Sequence, residues 1–250
     1  QDTEKMRESY DLKSLVQLTR YLESGVKVPQ GYDALIKVGD VWKTALTKKG
    51  NTYVWVLPGT HHRTQAELQL VQIPVEFGDS VVSSAAESVF TGYGGTIGGD
   101  IDALVLSLFG VDISSHRLIL VGMSMGGAVT NMISNFMASR PLPVLGITFG
   151  SPGVAKHPFK GEFAVRNYLN VGGKCNGGHV YTDFVALVPY AVESSFPRLT
   201  LAPFGYLRSF ARRAYCKITA LSAIVAFQAM LHHPATYSSG ASTRKIDLFD

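Results

Sequence analysis

Leu118-Ile-Leu-Val-Gly122-Met-Ser124-Met-Gly126-Gly127 joins three patterns in one short stretch. Leu118 to Val121 is an apolar run of buried-strand type. Gly122 to Gly126 is Gly-x-Ser-x-Gly, and from Ala128 to about Met137 the spacing becomes helical. A strand, a sharp turn carrying a serine and a helix in that order make a nucleophile elbow. The strand carries the serine to the edge of a sheet, and the turn exposes its Oγ. The helix then directs backbone N–H groups and the positive end of its dipole at the same spot. Side chains at 122, 126 and 127 would collide with the neighbouring strand and helix, which suits glycine. An ordinary tight turn can also carry the pentapeptide, so the flanking patterns give it meaning.

Working outward, apolar strand-type segments alternate with helical ones. Leu12 to Leu22 has helical spacing with Gly25 as a stop, and Tyr32 to Ile36 reads as another short helical piece. We take 1–40 as an N-terminal helical extension of one domain covering 1–250. Val41–Thr47, a turn at Lys48-Lys-Gly50-Asn51, and Thr52–Leu57 read as a hairpin whose second strand is central. Gln65 to Leu70 is helical in pattern, and Val75 to Val82 is a loop or short strand. Val89 to Gly95, with glycines at 92, 94 and 95, reads as a flexible connection before a helix at Asp100–Phe109, closed by Gly110. Further strands follow at Val144–Gly150 and Val165–Val171, then a glycine-rich loop from Gly172 to His179 and a hydrophobic run from Val180. Leu207 to Leu231 is helical. This alternation predicts an α/β fold: a mostly parallel central sheet with helices on both faces.

With 46% hydrophobic and 17% charged residues, the 250-residue chain has a sizeable core, which excludes a disordered chain. The net charge of +4 is scattered, with clusters only at Lys48-Lys49 and Arg208–Lys217. No aromatic-interleaved basic stripe points to nucleic acid, so the expected contact is at most a transient one with a lipid surface. Cys175 and Cys216 form no metal motif, and one disulfide and two thiols are equally compatible with them. The compartment stays open, with a secreted setting preferred over the cytoplasm. No signal-peptide pattern is visible at the start. The longest apolar run, 218–231, is too short to span a bilayer and is interrupted by Thr219, Ser222 and Gln228.

A serine hydroxyl needs a histidine to take its proton and a carboxylate to hold that histidine. In the chain order usual for this elbow, the acid and then the base follow the serine. Asp183 follows a hydrophobic strand pattern and sits just past it, where a sheet-borne acid belongs. Glu162 stands at the wrong end of its strand, and Glu193 lies in an irregular stretch. Of the later histidines, His157 is a loop residue and His179 is too close to Asp183. His232 and His233 remain, at a helix end from which the chain can turn back over the sheet. A helix-capping role is open to either. One oxyanion donor is the N–H of Met125, and the second is expected from the turn after an earlier central strand, at Gly59-Thr60.

Taken together, these segments resemble the class 3, or fungal-type, lipases of the α/β-hydrolase superfamily, from about Val41 to Tyr237. The resemblance rests on Pro58-Gly59-Thr60 at the oxyanion turn and on Val89-Phe90-Thr91-Gly92-Tyr93. It rests also on Gly122-Met-Ser124-Met-Gly126-Gly127-Ala128, Thr148-Phe-Gly-Ser-Pro152, Asp183 before Val188-Pro189, and a histidine shortly before Tyr237. It implies Ser124, Asp183 and His232, with His233 the alternative, as triad. Thr60 and Met125 would form the oxyanion hole, and neither metal nor organic cofactor is needed. His-x4-Tyr spacing in some members favours His232. The implied activity is hydrolysis of lipid esters, with a phospholipase A1, a short-chain carboxylesterase and a catalytically silent lipid- or partner-binding member as alternatives. A candidate lid runs from about 61 to 77. Pro58 and Met123 depart from the usual arginine and histidine, so the support behind the oxyanion turn must differ.

Overall fold

The computed structural model describes residues 5–6, 9–21, 27–40, 43–59, 74–155, 161–174, 180–182 and 243–245. In chain order the elements are α1 (Leu12–Tyr21), β1 (Ile36–Val38), β2 (Thr44–Lys49), β3 (Thr52–Leu57), β4 (Pro74–Phe77) and β5 (Ser80–Ser83). There follow α2 (Ser84–Gly92), α3 (Ile101–Phe109), β6 (Arg117–Met123), α4 (Met125–Phe136), β7 (Val144–Phe149), β8 (Ala164–Lys174), β9 (Val180–Thr182) and β10 (Thr243–Lys245).

The main sheet runs β1-β2-β3-β6-β7-β8-β10, with β9 also on β8. Its centre, β3-β6-β7-β8, is parallel, while β1, β2, β9 and β10 are antiparallel additions at the margins. The β2–β3 hairpin forms as the sequence predicts, with Gly50 at φ 58° in its turn. The central strands read as continuous apolar runs because both faces are covered. Val54, Val56, Ile119, Val121, Leu145 and Ile147 face one way, into a core closed by Leu15, Val16 and Leu18 of α1. Trp55, Leu57, Leu118 and Leu120 alternate to the other face, under α2, α3 and α4. The Trp55 indole N–H is satisfied inside that core. It donates to Thr44 Oγ1 at 2.7 Å, and that hydroxyl donates to Val56 O at 2.7 Å. Each such neutral hydrogen bond contributes about 1 kcal/mol.

Helix α3 forms where expected, with the Asp100 carboxylate accepting from the Asp102 N–H and Gly110 closing it at φ 68°. Three expectations are corrected. Val89–Gly92 is not a flexible connection: it is the last turn of α2, buried through Ala85, Ala86, Val89 and Phe90. Residues 32–35 are not helical, and Ile36 opens the edge strand β1. β8 continues to Lys174, through the first residues of the predicted loop. The candidate lid also ends in regular structure, because Pro74–Phe77 pairs with Ser80–Ser83. Phe77 is fixed further by edge-on contacts with Phe90 at 5.8 Å and Phe136 at 4.8 Å. Among the described residues no helix is long and apolar enough to cross a membrane.

Candidate active site

Strand β6 ends at Met123, and Ser124 is the hinge into α4. Its backbone sits at φ 52°, ψ −117°, the only positive φ at a non-glycine residue among the described residues. Holding an L-residue there costs roughly 1–3 kcal/mol and persists only where the surroundings dictate it. They do so from both sides. The Ser124 N–H donates to Phe149 O at 2.9 Å, and the Ser124 carbonyl accepts from the N–H groups of Gly127 at 2.9 Å and Ala128 at 3.2 Å. The serine therefore stands at the carboxyl edge of the parallel strands, 8% exposed, at the amino end of a helix.

The glycines around it fit by contact. A Cβ on Gly122 would run into the Gly126 backbone, at 2.6 Å from Gly127 N, and one on Gly126 would overlap the Leu57 carbonyl at the end of β3. A Cβ on Gly127 would lie 2.7 Å from Ser151 Cβ. The elbow can thus press against β3 on one side and the turn after β7 on the other. Gly59 completes the arrangement: a Cβ there would be 3.4 Å from Ser124 Cβ, so the turn after β3 lies directly beside the serine.

The chain has the α/β-hydrolase fold. The parallel sheet and the strained serine between a central strand and its helix decide it. Comparison of the sequence with protein-family models and with curated proteins gave no match. Among solved structures, the chain is similar to the Rhizomucor miehei lipase in its propeptide complex. That likeness has 16% identity, 76% of this chain and 65% of that one covered, and a TM-score of 0.49. It is also similar to Lip2 lipase from Yarrowia lipolytica, at 13% identity, 72% and 73% coverage and a TM-score of 0.44. A triacylglycerol lipase from Penicillium expansum matches at 13% identity, 62% and 67% coverage and a TM-score of 0.39. The chain thus spans slightly under two thirds of the Rhizomucor lipase.

Within this hydrolase fold, the Met125 N–H opens α4, where a helix has no internal acceptor to offer it. No acidic residue lies in the first turn, so the positive end of the dipole is uncompensated there. That is the electrostatic setting a developing oxyanion needs.

Behind the serine lies a polar cluster that the sequence did not single out. Asn131 Nδ2 lies 3.1 Å from Gly127 O, 3.1 Å from Ser151 Oγ and 3.4 Å from Asn167 Oδ1. Asn167 Oδ1 also accepts from Thr148 Oγ1 at 2.6 Å, and Ser151 Oγ donates to Pro152 O at 3.0 Å. All four side chains are buried. They tie the first turn of α4 to β7, to the turn after it and to β8, so the serine's helix is fixed by directional bonds as well as by packing. A sequence signal exists in retrospect. Asn131 stands four residues after Gly127 on a buried helix, and Asn167 interrupts a strand.

Of the residues expected in the site, Ser124 and Met125 are described and adjacent, with Gly59 of the oxyanion turn against the serine. Thr60, Asp183, His232 and His233 lie outside the described residues, as do Cys175, Cys216 and 61–73 of the candidate lid. Met123, in place of a histidine, is buried in the α1-side core. Among the described residues no three His, Cys, Asp or Glu side chains converge to hold a metal.

Proposed function

We propose that the chain is a serine hydrolase that cleaves carboxylic ester bonds of lipids through an acyl-enzyme. One observation carries this reading: Ser124 is the single non-glycine residue forced to positive φ among the described residues, and it sits between a central parallel strand and a helix start. In the proposed reaction His232, with His233 the alternative, takes the Ser124 proton as Oγ attacks the ester carbonyl. Asp183 holds the imidazole and stabilises its charged form. The N–H groups of Met125 and Thr60 receive the oxyanion. The protonated histidine then passes its proton to the departing alcohol. Water, deprotonated by the same histidine, releases the acid and regenerates Ser124. The lipid substrate class rests on the motif resemblance, and the lipase names of the structures above accord with it.

A fluorophosphonate probe tests the nucleophile. It labels the native chain and leaves Ser124→Ala unlabelled. Labelling that persists in Ser124→Ala, or ester turnover unchanged in it, would falsify the mechanism. His232→Asn and His233→Asn, assayed side by side, separate the two bases: His232→Asn is expected to lose turnover and His233→Asn to keep it. A series of p-nitrophenyl esters from acetate to palmitate distinguishes lipid from short-chain substrates.

A further inference from the structure

At the end of the sheet opposite Ser124 lies a cleft of about 440 Å³, lined by Lys5, Asn51, Ser115, Arg117, Leu142 and Pro143. Strand register places it. Thr52 stands beside Arg117 at the start of β3 and β6, Leu118 beside Val144, and the Leu118 N–H donates to Pro143 O at 3.2 Å. These are the amino ends of the strands whose carboxyl ends carry the serine. Six residue steps from Arg117 to Met123, at about 3.3 Å each, put the cleft roughly 20 Å from the nucleophile. An ester held at Ser124 does not reach it without a long chain.

Among the described residues the charge here is one-sided: none of those lining the cleft is a carboxylate, and Lys5 and Arg117, both exposed, have no ion-pair partner. Two more cations flank this end of the sheet, and neither has an ion-pair partner among the described residues. Lys48 Nζ lies 3.1 Å from His116 Nε2 and 5.1 Å from the Tyr53 ring, and Lys49 Nζ lies 5.1 Å from the rings of both Tyr10 and Tyr32. Two nearby carboxylates accept hydrogen bonds within their own segments. Asp11 accepts from the N–H groups of Lys13 and Ser14 and from Ser14 Oγ, and Asp112 accepts from the Ser114 N–H at 2.8 Å. Four cations with no ion-pair partner among the described residues leave a positive field at the mouth of a concave site.

We propose that this cleft binds a phosphate group. The Arg117 guanidinium and Lys5 ammonium supply the charge, with the guanidinium fork matched to two phosphate oxygens. The Asn51 amide and Ser115 hydroxyl supply donors for the remaining oxygens. The Leu142-Pro143 wall accommodates the uncharged carbon skeleton that carries the phosphate, since the cleft is larger than the bare anion. The same chemistry is offered by a soluble phosphate ester and by a phospholipid headgroup. The site is separate from the ester-cleaving reading and stands or falls without it.

The test titrates the full chain with inorganic phosphate against chloride at matched ionic strength, following Tm and heat. A second arm measures flotation with phosphatidylcholine vesicles with and without phosphatidic acid. Saturable stabilisation by phosphate is expected, weakened about fivefold or more in Arg117→Ala and in Lys5→Ala and less in Arg117→Lys. Both positions are exposed and without an ion-pair partner among the described residues, so the variants fold, and their labelling by fluorophosphonate stays at the native rate. Capture of the native chain but not of the variants on phosphatidic acid vesicles assigns the group to a lipid headgroup. Phosphate binding without capture assigns it to a soluble ester. The proposal is overturned if neither arm shows binding, if both alanine variants bind as tightly as the native chain, or if Ser124→Ala alters phosphate binding, which would move the site to the nucleophile.

Discussion

Gly126 and the carbonyl of Leu57 meet backbone to backbone, with no room for a single methyl group between them. This contact sets how near α4 comes to the end of β3, and so how near Ser124 comes to the Gly59 turn. Gly126→Ala is expected to destabilise the fold by at least about 3 kcal/mol, the upper range for overpacking against rigid backbone. Urea unfolding measures it, and a loss below about 1 kcal/mol would show that the two segments can separate freely.

Ser124 itself stores strain. Ser124→Ala and Ser124→Gly both remove the nucleophile, but only glycine is at ease at φ 52°. The glycine variant is expected to be about 1–2 kcal/mol more stable than the alanine variant, with both silent toward a fluorophosphonate. Equal thermal stabilities would mean that the serine's backbone is relaxed in solution.

The Asn131 cluster yields a third expectation. Asn131→Leu leaves Gly127 O, Ser151 Oγ and Asn167 Oδ1 without their shared donor, at a cost of about 2–3 kcal/mol. Ser151→Ala is milder, about 1 kcal/mol, and a double-mutant cycle between the two should return a coupling of about 1 kcal/mol. Labelling by fluorophosphonate under conditions where both variants are fully folded should slow several-fold, because the first turn of α4 is no longer tied to β7 and β8. A native labelling rate in both would reduce the cluster to a stability element.

Two tyrosines set an alkaline limit. Burial pushes the Tyr93 phenol above its ordinary 10.0, and burial, helped by Tyr10 and Asp11, does the same to Tyr32. Each stays protonated in the folded chain while the unfolded chain ionises, so the stability they confer is complete below pH 10 and is lost as pH rises beyond it. Unfolding free energies measured from pH 8 upward should fall above pH 10, and Tyr93→Phe or Tyr32→Phe should flatten that slope. At neutral pH, Tyr93→Phe loses the bond to Lys43 O, worth about 1 kcal/mol. Tyr32→Phe should be close to neutral, because its buried hydroxyl has no hydrogen-bond partner among the described residues.

What was legible in the chain follows from burial. β3, β6 and β7 are covered on both faces, so their apolar runs are unbroken and readable, and the elbow's glycines mark its contacts directly. Helix α3 announced itself through Asp100 and Gly110, where capping chemistry is local. Helix α2 was hidden by Gly92, Gly94 and Gly95, although Ala85, Ala86, Val89 and Phe90 already carried a helical face. β1 and β10 escaped because edge strands of three residues need no apolar alternation; Ile36 and Lys37 are exposed. The buried amides and hydroxyls of Thr148, Asn131, Ser151 and Asn167 come from three separate segments. Only the folded chain brings them together, so the sequence could mark Asn131 and Asn167 singly as polar residues in apolar elements but not as one cluster.

The helix at Leu12–Tyr21 has a practical consequence for anyone handling this protein. Together with Met6 and Tyr10 it packs over β3 and β6 on one face of the sheet. A shortened chain begun at β1 would uncover Val54, Val56, Ile119 and Val121 as an apolar strip able to drive self-association. Any truncated or amino-terminally fused version must therefore keep residues 5–21 free to lie on the sheet. A tag or partner that pulls this stretch away would make the chain sticky before it touched the serine.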